Sequence, residues 1–167
     1  MKAPTAVILI AALGTLITGC ASQGHEEPTP TATTASENEV ASVVAEYAPD
    51  WQDVIDNASG CRLEFVTGSD AARSYVCRTS EETMGITAGL AARSLDELKI
   101  PGAMSSLVSE TVTILERIAA DDLSALCGDD GWNGSEEDDK ACTAALGDRF
   151  ALYQQLDAKL SAWSPYL

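Results

Sequence analysis

Histidine is almost missing from this chain: among 167 residues the one example, His25, sits beside Glu26 and Glu27 in a Pro- and Thr-rich stretch. Ser-His-Asp and Cys-His catalysis and every multi-histidine metal site are thereby excluded from the part that folds. Basic residues are scarce too, 10 against 26 acidic, for a net charge of −16. Nucleic acids are held chiefly through phosphate neutralisation by Lys and Arg, so such a partner is excluded. The same repulsion acts on anionic lipid headgroups, and the folded part is expected to stand off any bilayer that holds it. No C-x-x-C spacing occurs, which removes the usual zinc and dithiol patterns. No apolar run reaches the roughly 20 residues of a transmembrane helix.

What is present at the start is a short apolar run, residues 6–17, preceded by Lys2. Twelve helical residues rise about 18 Å, too little for a bilayer but suited to a secretory leader. The run ends in Ile17-Thr18-Gly19-Cys20, an aliphatic residue and two small ones before a cysteine. This segment resembles the lipobox of bacterial lipoproteins, over the first 20 residues only. The resemblance implies cleavage after Gly19, a diacylglyceryl thioether on Cys20 and a new N-terminus at that residue. Several acyl chains, palmitate among them, make such anchoring stable where one chain is marginal. Loss of the leader with Lys2 would take the net charge from −16 to −17.

Three parts are expected: a signal peptide over 1–19, a lipidated cysteine and flexible tether over 20–35, and a helical domain over 36–167. Residues 21–35 hold no large apolar side chain and cannot bury enough surface to order themselves. With 46% hydrophobic and 22% charged residues overall, the remainder has the balance of a globular domain rather than a disordered chain.

Ser36-Glu37-Asn38-Glu39 has the form of a capping box, and Val40, Val43, Val44, Tyr47, Trp51, Val54, Ile55 and Ala58 follow at helical steps. Pro49 predicts a kink or two short helices in line, ending near Gly60. Thr79-Ser80-Glu81-Glu82 offers a second capping box, opening a helix closed by Pro101-Gly102. Gly85 and Gly89 on it suggest close packing against a neighbour. A third helix is expected over 103–126, and a fourth from Ser135, with Glu136, Glu137, Asp138 and Asp139 favouring its dipole, to Pro165. The fold class is therefore all-α, a four-helix bundle. Residues 61–77 are ambiguous between a short β-hairpin and an extension of the second helix, with helix preferred because a lone hairpin has little sheet to join.

Cys61, Cys77, Cys127 and Cys142 are an even set in a chain read as exported, so two disulfides are expected. Three pairings exist. The local one, Cys61–Cys77 with Cys127–Cys142, is preferred, each bridge contributing about 3 kcal/mol by the chain-entropy estimate. The loop between the last two cysteines carries Asp129, Asp130 and Trp132. From Asp129 the EF-hand pattern fails, since Gly131 stands at position 3 and Lys140 at 12. Trp132, with Asp129 and Asp130, is the candidate contact surface. Asp121-Asp122 reads as a solvated face, because adjacent carboxylates on a helix point about 100° apart.

No cofactor, metal or catalytic group is called for. The expectation is a non-catalytic module, lipid-anchored on the extracytoplasmic face of the cell membrane, that binds another envelope protein or a glycan. The alternatives are an Asp/Glu-dependent envelope hydrolase, needing two carboxyls converging in a cleft with one titrating abnormally, and a weak cation-binding surface protein.

Overall fold

The computed structural model describes residues 33–67, 71–127 and 136–167. Within them lie α1 (Glu37–Thr67), α2 (Ala71–Asp96), α3 (Ser105–Ala120), the single-turn α4 (Leu123–Cys127) and α5 (Glu136–Trp163), with a 3-10 turn at Gly102–Met104 ahead of α3. There is no strand among the described residues. The fold is the all-α, four-helix arrangement expected from the sequence.

The four long helices assemble because each buries a stripe that recurs at alternating steps of four and three. On α1 the stripe is Val40, Val44, Tyr47, Trp51, Val54 and Ala58. On α2 it is Cys77, Glu81, Met84, Ala88, Ala91 and Leu95, and into α3 it is Met104, Val108, Thr111, Leu115 and Ile118. On α5 it is Cys142, Leu146, Arg149, Tyr153, Leu156, Leu160 and Trp163. A mean step of 3.5 keeps one face turned to its partners over many turns, which is the repeat of bundled helices. α2 packs against α1 and α3, and α5 against the same two, so the helices follow the order α1, α2, α3, α5 around the core. α2 and α5 then lie on a diagonal, while α4 rests on both.

The indoles are satisfied on the way. Trp51 Nε1 donates to Thr87 Oγ1 and Trp163 Nε1 to Thr111 Oγ1, each at 2.9 Å. The Ser36 capping box forms as expected: Glu39 N donates to Ser36 Oγ at 3.2 Å and Ser36 N to Glu39 Oε2 at 2.7 Å. These bonds hold the Glu39 carboxyl below its usual range. Just before it, Ala35 N donates to Lys99 O at 3.0 Å, tying the start of the domain to the loop after α2.

Several expected boundaries move. α1 passes through Pro49 as one helix and continues beyond Gly60 to Thr67; Trp51 and Ala58, buried beyond the proline, hold the far half against α2. Over 61–77 the preferred helical reading holds in place of the hairpin: α1 covers 61–67 and α2 starts at Ala71. Thr79-Ser80-Glu81-Glu82 is consequently mid-helix: the Thr79 hydroxyl donates back to Tyr75 O rather than capping. α2 closes at Asp96, ahead of Pro101. The third helix breaks at Asp121-Asp122 before α4.

Both disulfides take the local pairing, Cys61–Cys77 and Cys127–Cys142, with Cα separations of 5.3 and 4.9 Å. All four cysteines join Leu123 and Leu146 in a small apolar cluster of their own. The bridges thus staple α1 to α2 and α4 to α5 where that cluster lies.

The substitution Thr111→Val keeps the shape of a fully buried side chain and removes the acceptor of the Trp163 N–H. An unsatisfied buried donor costs about 1–3 kcal/mol, so the urea midpoint should fall accordingly at unchanged slope. A loss below about 0.5 kcal/mol would show that the indole contact is energetically idle.

Candidate functional site

Three positions of the buried stripes are polar: Glu81 on α2, Arg149 on α5 and Thr111 on α3. Thr111 is used by Trp163. The other two come together across the diagonal. The Tyr153 hydroxyl donates to Glu81 Oε2 in a contact buried on both sides. One turn earlier on α5, Arg149 Nη2 donates to the Asp121 carbonyl at 2.7 Å, and its Nε lies 4.0 Å from Asp121 Oδ2. Arg149 is 2% exposed, and besides Asp121 its guanidinium acts on Tyr153 and Glu81. A void of about 10 Å³ borders Glu81, Arg149 and Tyr153, close to the volume that admits one water molecule.

Burial raises the Glu81 carboxyl above its usual range, against the opposing pull of the Tyr153 hydrogen bond and the Arg149 charge. Burial also raises the Tyr153 phenol, reinforced by the negative charge of Glu81. Tyr153 is therefore a permanent donor, while Glu81 is held closer to neutrality than an exposed acid.

Over this cluster opens a cleft of about 410 Å³, bounded by Arg78, Glu81, Ile86, Asp121, Asp122 and Arg149 among others. It meets a second cavity of about 540 Å³ between α2 and α3 through shared Gly85, Ile86 and Ala119. The helices come close enough there that a Cβ on Gly89 would stand 3.3 Å from Ala119 Cβ. At Gly85 an added Cβ would find only ordinary contact, 3.9 Å from Ile118 O. The close packing expected of this pair is thus a property of Gly89. A third cavity, of about 260 Å³, runs between α1 and α2 beside Cys61–Cys77 and also reaches Glu81.

The chain matches no family model, no curated protein and no solved structure. The site therefore stands on its own geometry.

Of the sequence-predicted residues, Cys61 and Cys77 line the third cavity and Cys127, bridged to Cys142, lines the cleft. Gly19, Cys20, Asp129, Asp130, Trp132 and Ser135 lie outside the described residues. Asp122 is exposed and Asp121 partly so, as read from the sequence, and each also has a partner. Asp121 holds Arg149, and Asp122 Oδ1 accepts the Ala125 N–H at 2.9 Å to start α4. No group of three metal-ligating side chains forms among the described residues.

Sequence reasoning missed Glu81, Arg149 and Tyr153 as a unit, although a signal was there. Glu81 follows Cys77 by four and precedes Met84 by three, and Arg149 stands likewise between Leu146 and Tyr153. A charge on an apolar stripe must be buried, and a buried charge must find partners.

Because the fold favours the protonated form of Glu81, its contribution to stability is complete below the ordinary value of 4.5 and is lost as pH rises through the raised one. Wild type should therefore lose stability relative to Glu81→Gln as pH climbs from about 4.5 to neutrality, followed by chemical denaturation; parallel curves would rule the shift out. Tyr153→Phe, which strips Glu81 of its donor, should cost about 1–3 kcal/mol at neutral pH, and a neutral result would contradict the contact.

Proposed function

We propose that the chain is a non-catalytic binding module of the cell envelope, held on the extracytoplasmic face of a membrane by lipid on Cys20. The observation that carries the reading is the pair of disulfides, which uses every cysteine except the one in the lipobox-like segment. Bridges of this kind persist in oxidising compartments outside the cytoplasm. The cysteine left over stands where a lipoprotein leader would place its acylated residue. No described helix is long and apolar enough to cross a membrane, so attachment in this reading falls to the lipid.

Binding is assigned to the cleft above Arg149, a preformed concavity with a few converging polar groups. A hydrolase would have to use Glu81 as its abnormal carboxyl. That group is only 7% exposed and accepts the Tyr153 hydroxyl, while Asp121 and Asp122 on the same cleft are engaged by Arg149 and by the start of α4. The arrangement suits recognition better than proton transfer to a substrate.

Growth of the native host with a clickable palmitate analogue tests the address. Wild-type protein should carry the label and sediment with membranes, and Cys20→Ser should lose both. An unlabelled wild-type chain, or free thiols at the other four cysteines on isolation, would overturn the proposal.

A further inference from the structure

α2 is apolar on two sides. Its inward stripe packs into the bundle, but on the outer side Tyr75, Val76, Ile86 and Leu90 are exposed by 68, 60, 64 and 40%, four of the seven large apolar side chains that stand exposed among the described residues. A helix apolar on both sides is one covered on both. We infer that this outer face of α2 pairs with the same face of a second copy of the chain, antiparallel, about a twofold axis beside Thr83 and Met84. The pairing draws on neither the cleft nor the anchor and goes beyond the function proposed above.

Spacing identifies the partner as a copy. Tyr75, Thr79, Glu82, Ile86, Gly89 and Arg93 follow one another at steps of 4, 3, 4, 3 and 4, an order that reads the same from either end. Reversed upon itself, this seam sets Tyr75 against Arg93 of the copy, Thr79 against Gly89 and Glu82 against Ile86. Alongside it Val76, Thr83 and Leu90 stand seven apart, so Val76 meets Leu90 of the copy and Thr83 meets itself. An unrelated partner imposes no such symmetry on a sequence, whereas a twofold contact, made of the same patch on both subunits, does.

Charge decides where two such acidic molecules can meet. α2 carries Arg73, Arg78 and Arg93 against Glu81, Glu82 and Asp96 and so has no net charge, whereas α1, α3 and α5 are each net negative. Contact through α2 thus joins two chains of charge −16 at the least repulsive of the long helices, and each Tyr75 ring can receive an Arg93 guanidinium of the copy. The hydroxyls of the face are already satisfied: Thr79 Oγ1 donates to Tyr75 O at 3.1 Å and Thr83 Oγ1 to Thr79 O at 2.8 Å, so burying them strands no donor. An anionic bilayer is no rival occupant, since the charge of the chain repels it. A contact one helix wide falls below the roughly 800 Å² per partner of a standard interface, so the pairing is weak in dilute solution and is best tested where the chain is concentrated, in its host.

The test is cross-linking of the full chain in intact host cells with a short, membrane-permeant bismaleimide, read on immunoblots. Thr83→Cys should give a band at twice the mass of the chain. Val76→Cys and Leu90→Cys should give it when expressed together and at least tenfold less when expressed singly, because like positions then lie about 21 Å apart along the axis. Adding Ile86→Asp/Leu90→Asp to Thr83→Cys, all exposed positions, should cut the band at least tenfold, with the unfolding midpoint of the purified variant confirming that it stays folded. Self-linking of Val76→Cys alone would mean parallel pairing and overturn the inference. So would a Thr83→Cys band no stronger than that of Ser109→Cys, an exposed position on α3, a product whose mass fits a different protein, or no product at all. Each of these outcomes leaves palmitate labelling, and with it the anchored-module reading, untouched.

Discussion

A carboxylate placed on the inward stripe of α2 constrains the rest of this bundle. Glu81 is almost wholly buried there, and α5 brings a hydroxyl and a cation across the diagonal to meet it. Tyr153 and Arg149, four residues apart on α5, do so, and this sets the register of α5 against α2. Arg149 in turn fixes the end of α3 by taking the carbonyl of Asp121. Helix register, the break after Ala120 and the floor of the cleft thus meet at one buried carboxyl. Removing a single partner of such a group is costly because the remainder stays buried.

The disulfides serve the same end of the molecule. The main apolar core takes in α1, α2, α3 and α5, whereas the four cysteines gather in a separate, smaller cluster with Leu123 and Leu146. A cluster of that size buries little apolar surface, and helix ends around it would open readily on their own. Cross-linking makes up the shortfall by restricting the unfolded chain. The cleft is therefore built where packing is thin and covalent bonds replace it, which leaves room for a cavity without loss of order.

Much of this was legible in the residue pattern, and the failures share a cause. The stripe of α1, the Ser36 cap and the local cysteine pairing are short-range features, written in steps of three and four or in loop length. The second capping box misled because Thr79-Ser80-Glu81-Glu82 satisfies a local rule while long-range burial sets Glu81 to another use. Gly60 likewise resembles a stop, but the Cys61–Cys77 bridge and the packing of Ala58 carry the helix past it. The pairing of Asp121 with Arg149 was missed because nothing nearby in sequence reveals an arginine 28 positions away. What the sequence leaves out is pairing at a distance, and the cleft is made of such pairs.

One bond at the opposite end has a mechanical consequence. Ala35 N is fastened to Lys99 O beside the foot of α1, just past the end of α2 at Asp96, and Glu81 lies about 22 Å back along that helix. A pull on the N-terminal side would load that hydrogen bond and shear α1 lengthwise against α2 and α5. The first contact to carry such a load lies at the far end of α2 from Glu81.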